Sequence, residues 1–136
     1  MKSKLLLMLL GALTLTACVN VSATRLSGGQ TLAPLAASEV TIYRSRDLVP
    51  GKYREIALLE ADGDGASTRE RDFYESMRKK AAKLGANGLI LERGLEPSPT
   101  VKIAAALLDV QYTRYRHAIA VLVDEPNSAI VLDQTP

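Results

Sequence analysis

Residues 67–88 place the tightest limit on the fold, because they hold a helix with its own start and stop signals beside a strand pattern. Ser67-Thr68-Arg69-Glu70 reads as a capping box, in which the Ser67 hydroxyl accepts from the Glu70 N–H and the Glu70 carboxylate returns to the Ser67 N–H. Beyond it Phe73, Met77, Ala81 and Leu84, with Tyr74 alongside, fall within one arc of about 100°, wide enough to cover a sheet. Asp72 and Glu75 in the first half, with Arg78, Lys79, Lys80 and Lys83 in the second, suit the helix dipole. The basic run at 78–80 is accordingly read as a solvated helix end. Gly85 is placed to stop the helix in a left-handed conformation, and Asn87-Gly88 turns the chain into Leu89-Ile90-Leu91.

Strand signals lie on both sides. Val40 and Ile42 alternate with Thr41 and Tyr43; after the turn signal Pro50-Gly51, Tyr53 to Glu60 reads as a second strand with Ile56 and Leu58 on its core face. Strand, helix and strand in that order predict a right-handed crossover between strands of the same direction. Glu96-Pro97-Ser98-Pro99 breaks the chain, and the alanine- and leucine-rich stretch Val101 to Leu108 favours a short helix over a strand. Ala118 to Val123 is six apolar residues in succession, the mark of a strand covered on both faces and therefore central. Residues 129–132 add at most a marginal edge strand. The expected class is α+β: a small mixed sheet of about four strands packed by one main helix and a short second helix, in the order β-β-α-β-α-β.

The amino terminus sets the expected address. Lys2 and Lys4 precede Leu5-Leu6-Leu7-Met8-Leu9-Leu10, and small residues lead to Cys18, the pattern of a secretory signal. The uncharged stretch from Leu5 to Ala17 is shorter than the roughly 20 residues that span a bilayer. Leu15-Thr16-Ala17-Cys18 resembles the lipobox of bacterial lipoproteins, which implies cleavage after residue 17 and a covalent lipid on Cys18. Val19, in place of an aspartate, implies by the same resemblance the periplasmic face of the outer membrane. Residues 18–38 are small and polar, with breakers at Gly28-Gly29 and Pro34, and read as a flexible tether with a reach of about 25 Å. The α+β domain is expected over 39–124 and a carboxy-terminal tail over 125–136.

Without residues 1–17, 119 of the 136 residues remain, enough for one core. The two lysines of the leader account for the whole excess of 17 Lys+Arg over 15 Asp+Glu. The mature chain is formally neutral and lacks the clustered basic surplus that nucleic acid requires. Cys18 is the single cysteine, so no internal disulfide can form. With no tryptophan and one phenylalanine, the core has to be aliphatic.

Catalytic signatures are missing: the sequence has one histidine, His117, no His-Glu-x-x-His, no cysteine pair and no Gly-x-Ser-x-Gly. The chain is read as a non-enzyme with no cofactor beyond the lipid on Cys18. Asp62-Gly63-Asp64-Gly65 resembles the opening of a calcium loop, but the sixth and twelfth positions counted from Asp62 are Ser67 and Phe73 instead of Gly and Glu, so it reads as an ordinary strand-to-helix loop. Tyr43, Tyr53 and Tyr115, with Arg44, Arg46, Arg54, Arg114 and Arg116, gather near strand ends. Tyr43, Tyr53, Arg44, Arg46 and Arg54 form the candidate binding surface, of anionic preference, against the plainer reading of amphipathic side chains covering a sheet edge.

Val40-Thr41-Ile42-Tyr43, Tyr53-Arg54-Glu55-Ile56-Ala57 and the run Lys80 to Leu91 carry a resemblance over residues 39–123. The chain resembles a group of small bacterial α+β domains that includes the outer-membrane lipoprotein sensing envelope stress for the Rcs phosphorelay and a domain family labelled heavy-metal-binding. The Rcs-type sensor carries internal disulfides; this chain has neither those cysteines nor a Cys/His cluster, so neither sensor activity nor metal ligands carry over. The tether, the compact domain and the missing catalytic groups point instead to a lipid-anchored envelope module without catalysis that binds another envelope protein, with envelope stress sensing or integrity as its expected setting. A periplasmic small-ligand or metal-binding sensor or buffer is the alternative.

Overall fold

The apolar run near the carboxy terminus forms the axis of the fold. In a computed structural model describing residues 18–26, 31–94 and 97–124, β5 (Thr113–Val123) is the middle strand of five. The others are β1 (Asn20–Arg25), β2 (Thr41–Tyr43), β3 (Tyr53–Asp64) and β4 (Gly88–Leu91), in the spatial order β1-β3-β5-β4-β2. β5 is antiparallel to both β3 and β4, β1 is antiparallel to β3, and β2 is parallel to β4. The helix α1 (Glu70–Lys83) connects β3 to β4. Those two strands share a direction, as the crossover requires, but β5 is inserted between them.

The α+β class holds, with five strands instead of four. The additional strand, β1, lies in the stretch read as a tether. Val21 and Ala23 face α1 at the edge of the core while Asn20, Ser22 and Thr24 are exposed, and the strand pairs from Asn20↔Asp62 to Arg25↔Ala57. Residues of low apolar content form a strand there because the edge of β3 would otherwise leave its N–H and C=O groups unpaired. The following segment also packs: the Leu35 N–H donates to the Ala82 carbonyl at 2.9 Å, and Leu32 lies against Gly85. Residues 1–17 and 125–136, with the signal, the tail and the marginal strand at 129–132, lie outside the described residues.

Two cores sandwich the sheet. On one face α1 buries Phe73, Met77, Ala81 and Ala82 against Ala57, Leu59, Ala61, Leu89, Ala118 and Ala120. On the other, Ile90, Ile119, Val121 and Val123 are covered by Val49, from the connection between β2 and β3, and by Tyr43 and Tyr53 at its two ends. β5 is thus apolar on both sides, which is why its sequence shows a run and not an alternation. Leu58, expected inside, is 42% exposed. A bulge between Glu55 and Ala57 shifts the register, so that Ala57, Leu59 and Ala61 point to the helix.

α1 begins two residues after the expected cap. Arg69 is its N-cap, with its N–H donating to Asp72 Oδ2 at 3.2 Å. Ser67 belongs to a turn ordered by Asp64, whose Oδ1 accepts from the Ala66 N–H (3.1 Å), the Ser67 N–H (2.7 Å) and the Ser67 hydroxyl (2.8 Å). The Ser67 bonds hold the Asp64 carboxyl below its ordinary range. Asp62-Gly63-Asp64 is the end of β3 and not a loop, paired as far as Asp64↔Thr113. The other end of α1 is as expected: Gly85 (φ +78°) donates to the Ala82 carbonyl and Ala86 to that of Ala81, a Schellman stop. Asn87 then extends the pairing with β5 through its side chain, donating to the Val123 carbonyl (3.0 Å) and accepting from its N–H (2.7 Å).

The short helix α2 (Pro99–Leu108) forms where expected, capped by Ser98, which accepts from the Val101 N–H at 3.4 Å. Contrary to expectation it does not cover the sheet: none of its residues is buried. No helix among the described residues is long and apolar enough to cross a membrane.

Candidate functional site

Three charged residues converge where α1 starts beside β5. Glu70 is the first residue of α1, and Arg114 and Arg116 project from β5 toward it. Glu70 Oε1 accepts from Arg116 Nε (2.7 Å) and the Tyr74 hydroxyl (2.5 Å). Its Oε2 accepts from Arg116 Nη2 (2.9 Å) and Arg114 Nη2 (2.8 Å). Arg116 is 5% exposed, and its third nitrogen, Nη1, donates to the Tyr115 carbonyl at 2.8 Å. Both guanidiniums stand 5.7 Å from the centroid of the Phe73 ring, adding a cation–π contact to the ion pairs.

This arrangement fixes the charge state. The Arg116 bond, against the opposing effect of burial, holds the Glu70 carboxyl below its ordinary value; Tyr74 and Arg114 add to it. Burial raises the Tyr74 hydroxyl, and its bond to the ionised Glu70 raises it further. Tyr74 therefore stays a donor. Two glycines make room for the cluster. A Cβ on Gly94 would stand 2.8 Å from Arg116 Nη1, and one on Gly63 would stand 3.0 Å from the Phe73 ring.

Over this cluster lies an open cleft of about 580 Å³, lined by Arg44, Glu70, Tyr74, Leu91, Glu92, Arg93, Gly94 and Arg116. A second, of about 410 Å³, continues across Arg44, Ser45, Arg46 and Arg93. Arg44 follows the last residue of β2 and Arg93 follows β4, so the parallel pairing of those strands brings both guanidiniums to one rim. Both are exposed, and among the described residues neither has a carboxylate partner. Arg116, spent on Glu70, serves as a floor. Arg44 and Arg93 remain to receive an oxyanion, since a guanidinium fork matches a carboxylate or phosphate.

The structure divides the binding surface expected from sequence. Arg44 lines the cleft. Arg46 reaches Glu55 at 2.5 Å and Glu92 at 3.7 Å, and the Glu55 carboxylate raises its already high pKa. Tyr43 and Tyr53 pack on the far side of the sheet against Val49 and Ile90, while Arg54 lies apart, level with Leu122. Sequence reading missed Glu70, Tyr74, Arg93 and Gly94. By sequence Arg114 and Arg116 belong with the strand-end arginines, but their common partner, Glu70, stands 46 residues from Arg116 and has the spacing of a helix cap. His117 is a mid-strand residue, its Nε2 3.0 Å from Glu60 Oε2. Cys18 is exposed, two residues before β1. No group of three or more His, Cys, Asp or Glu placed to hold a metal occurs among the described residues.

No family model matches this chain, and no curated protein matches it. Among solved structures it is similar to the Francisella virulence factor FvfA, with a TM-score of 0.52 and 14% sequence identity over 78% of this chain and 99% of that one. At that identity the likeness is one of fold.

Proposed function

We propose that this chain is a non-catalytic, lipid-anchored module of the bacterial envelope, held by Cys18 at the periplasmic face of the outer membrane, that binds an acidic group of a second envelope protein in the Arg44–Arg93 cleft. The anchoring half rests on the leader and on Leu15-Thr16-Ala17-Cys18. The binding half rests on one observation: two exposed guanidiniums without carboxylate partners among the described residues, at the rim of a cleft whose floor is an ion-paired, nearly buried arginine. A guanidinium with no carboxylate to release gives up no ion pair when it closes on an oxyanion. A photo-crosslinking residue at Glu92, introduced in the full chain in cells, tests the reading. A discrete adduct is expected, lost with Arg44→Glu and Arg93→Glu. An adduct indifferent to both reversals counts against the cleft.

A small anionic ligand is the second reading, favoured by a cleft volume within the range of small-molecule sites. It predicts a rise in the melting midpoint with an anionic metabolite, absent in Arg93→Glu.

A further inference from the structure

Strand register puts four chain segments at one end of the sheet. Asn20 of β1 is level with Asp62 of β3, and Asp62 is level with Tyr115 of β5. At about 4.8 Å per strand, Asn20 and Tyr115 are roughly 10 Å apart. From that row, Cys18 lies two residues further out on one side and Thr113, the first residue of β5, two residues further out on the other. β4 also ends here, because it shares the direction of β3. α2 bridges the end of β4 to the start of β5, so it stands at the same end as Cys18.

α2 is unlike a soluble surface helix. Of its ten residues, Val101, Ile103, Ala104, Ala105, Ala106, Leu107 and Leu108 are apolar, and none is buried. Ile103 is 61% exposed, Leu107 80% and Leu108 72%, with Val110 just beyond the helix at 58%. Lys102 and the capping Asp109 are seven positions apart and so share one side; Thr100, in the first turn, is the one other polar residue of the helix. A helix of this length with no packed face is marginal in water. Both ends are nonetheless capped, by Ser98 and by Asp109 in the left-handed conformation (φ 51°). Such a segment is shaped to persist while presenting apolar side chains outward.

We propose that α2 lies in the surface of a phospholipid bilayer, its Ile103, Leu107 and Leu108 side chains among the acyl chains, beside the lipid carried by Cys18. The proposal rests on the reading of Cys18 as lipid-bearing and adds a second, noncovalent point of contact at the same sheet end. Stable attachment generally takes two signals, and an interfacial helix next to an acylated residue supplies the second.

The chain has no tryptophan, so a single introduced indole reports on its own surroundings. The full chain, processed in a bacterial host and purified with its lipid, is reconstituted into phosphatidylcholine vesicles with or without bromine on the acyl chains. The variants are Leu107→Trp, Ile103→Trp and, at the opposite end of the sheet, Lys52→Trp. All three residues are exposed and remove no core contact. The expected result is a blue-shifted emission, quenched by bromine, for Leu107→Trp and Ile103→Trp, and unshifted, unquenched emission for Lys52→Trp. Acylated Cys18 by mass spectrometry, with the α2 indoles unquenched or quenched no more than that of Lys52→Trp, overturns the placement of α2 and leaves the anchored reading standing. Cys18 without an acyl group brings down the anchored reading, and this inference with it.

Discussion

Exchanging Glu70 for glutamine leaves the Arg116 guanidinium in place and removes the charge it was buried against. Arg116 is 5% exposed and retains the Tyr115 carbonyl and the Phe73 ring, neither of which carries a full charge. Breaking a fully buried pair from one side costs about 3–5 kcal/mol. The Glu70 side chain is 41% exposed, so water reaches the vacated position, and about 2 kcal/mol is expected. In a domain of this size that corresponds to a midpoint about 8 °C lower. Arg116→Met should cost less, about 1 kcal/mol, because it removes the buried charge itself while Glu70 keeps Arg114 and Tyr74. The double variant should be less destabilised than the sum of the two. Melts followed by circular dichroism give all three values, and melts at falling pH supply an independent check. Since the folded carboxyl lies below its ordinary 4.5, its contribution is complete above that pH and is lost as pH falls through the folded value. Parent and Glu70→Gln should therefore start to approach each other as pH drops under 4.5 and converge below the folded value. A Glu70→Gln midpoint within about 2 °C of the parent at neutral pH, or an Arg116→Met chain that melts lower than Glu70→Gln, would refute this account.

Gly94→Ala should displace Arg116, because its Cβ would stand 2.8 Å from Nη1 and 3.0 Å from the Tyr115 carbonyl oxygen; a loss of about 1–3 kcal/mol in urea melts is expected. Amide exchange should show protection on alternate residues of Asn20–Arg25, and uniform rapid exchange there would mean that β3 has no edge partner.

What was legible in the sequence was whatever a segment states about itself. Phe73, Met77 and Ala81 announce a buried helix face, Gly85 its stop, and the run Ala118 to Val123 a middle strand. Each follows from spacing over a few residues and survives in the structure. Features that depend on a distant partner were misread. Asn20 to Arg25 has the composition of a linker and becomes a strand because β3 offers an edge. Leu58 faces outward because a bulge at Glu55 changes the count, and bulges have no one-residue signature. Glu70 has the spacing of a capping residue and instead holds two arginines that topology alone delivers. The cleft was half visible in the same way: Arg44 stood out beside its strand, while Arg93 joined it only through the parallel pairing of β2 and β4.

The strand that starts at Asn20 leaves a single residue between Cys18 and a hydrogen-bonded ladder. An acyl group at Cys18 would then act as a hinge pin and not as a leash. The domain would pivot over one narrow cone, always offering the leaflet the same rim. Arg44 and Arg93 belong to that rim, so a protein engaging them would have to arrive sideways, close to the headgroups. Lengthening the chain between Cys18 and Asn20 with glycine and serine would widen the cone, and would separate what the cleft recognises from where the domain is held.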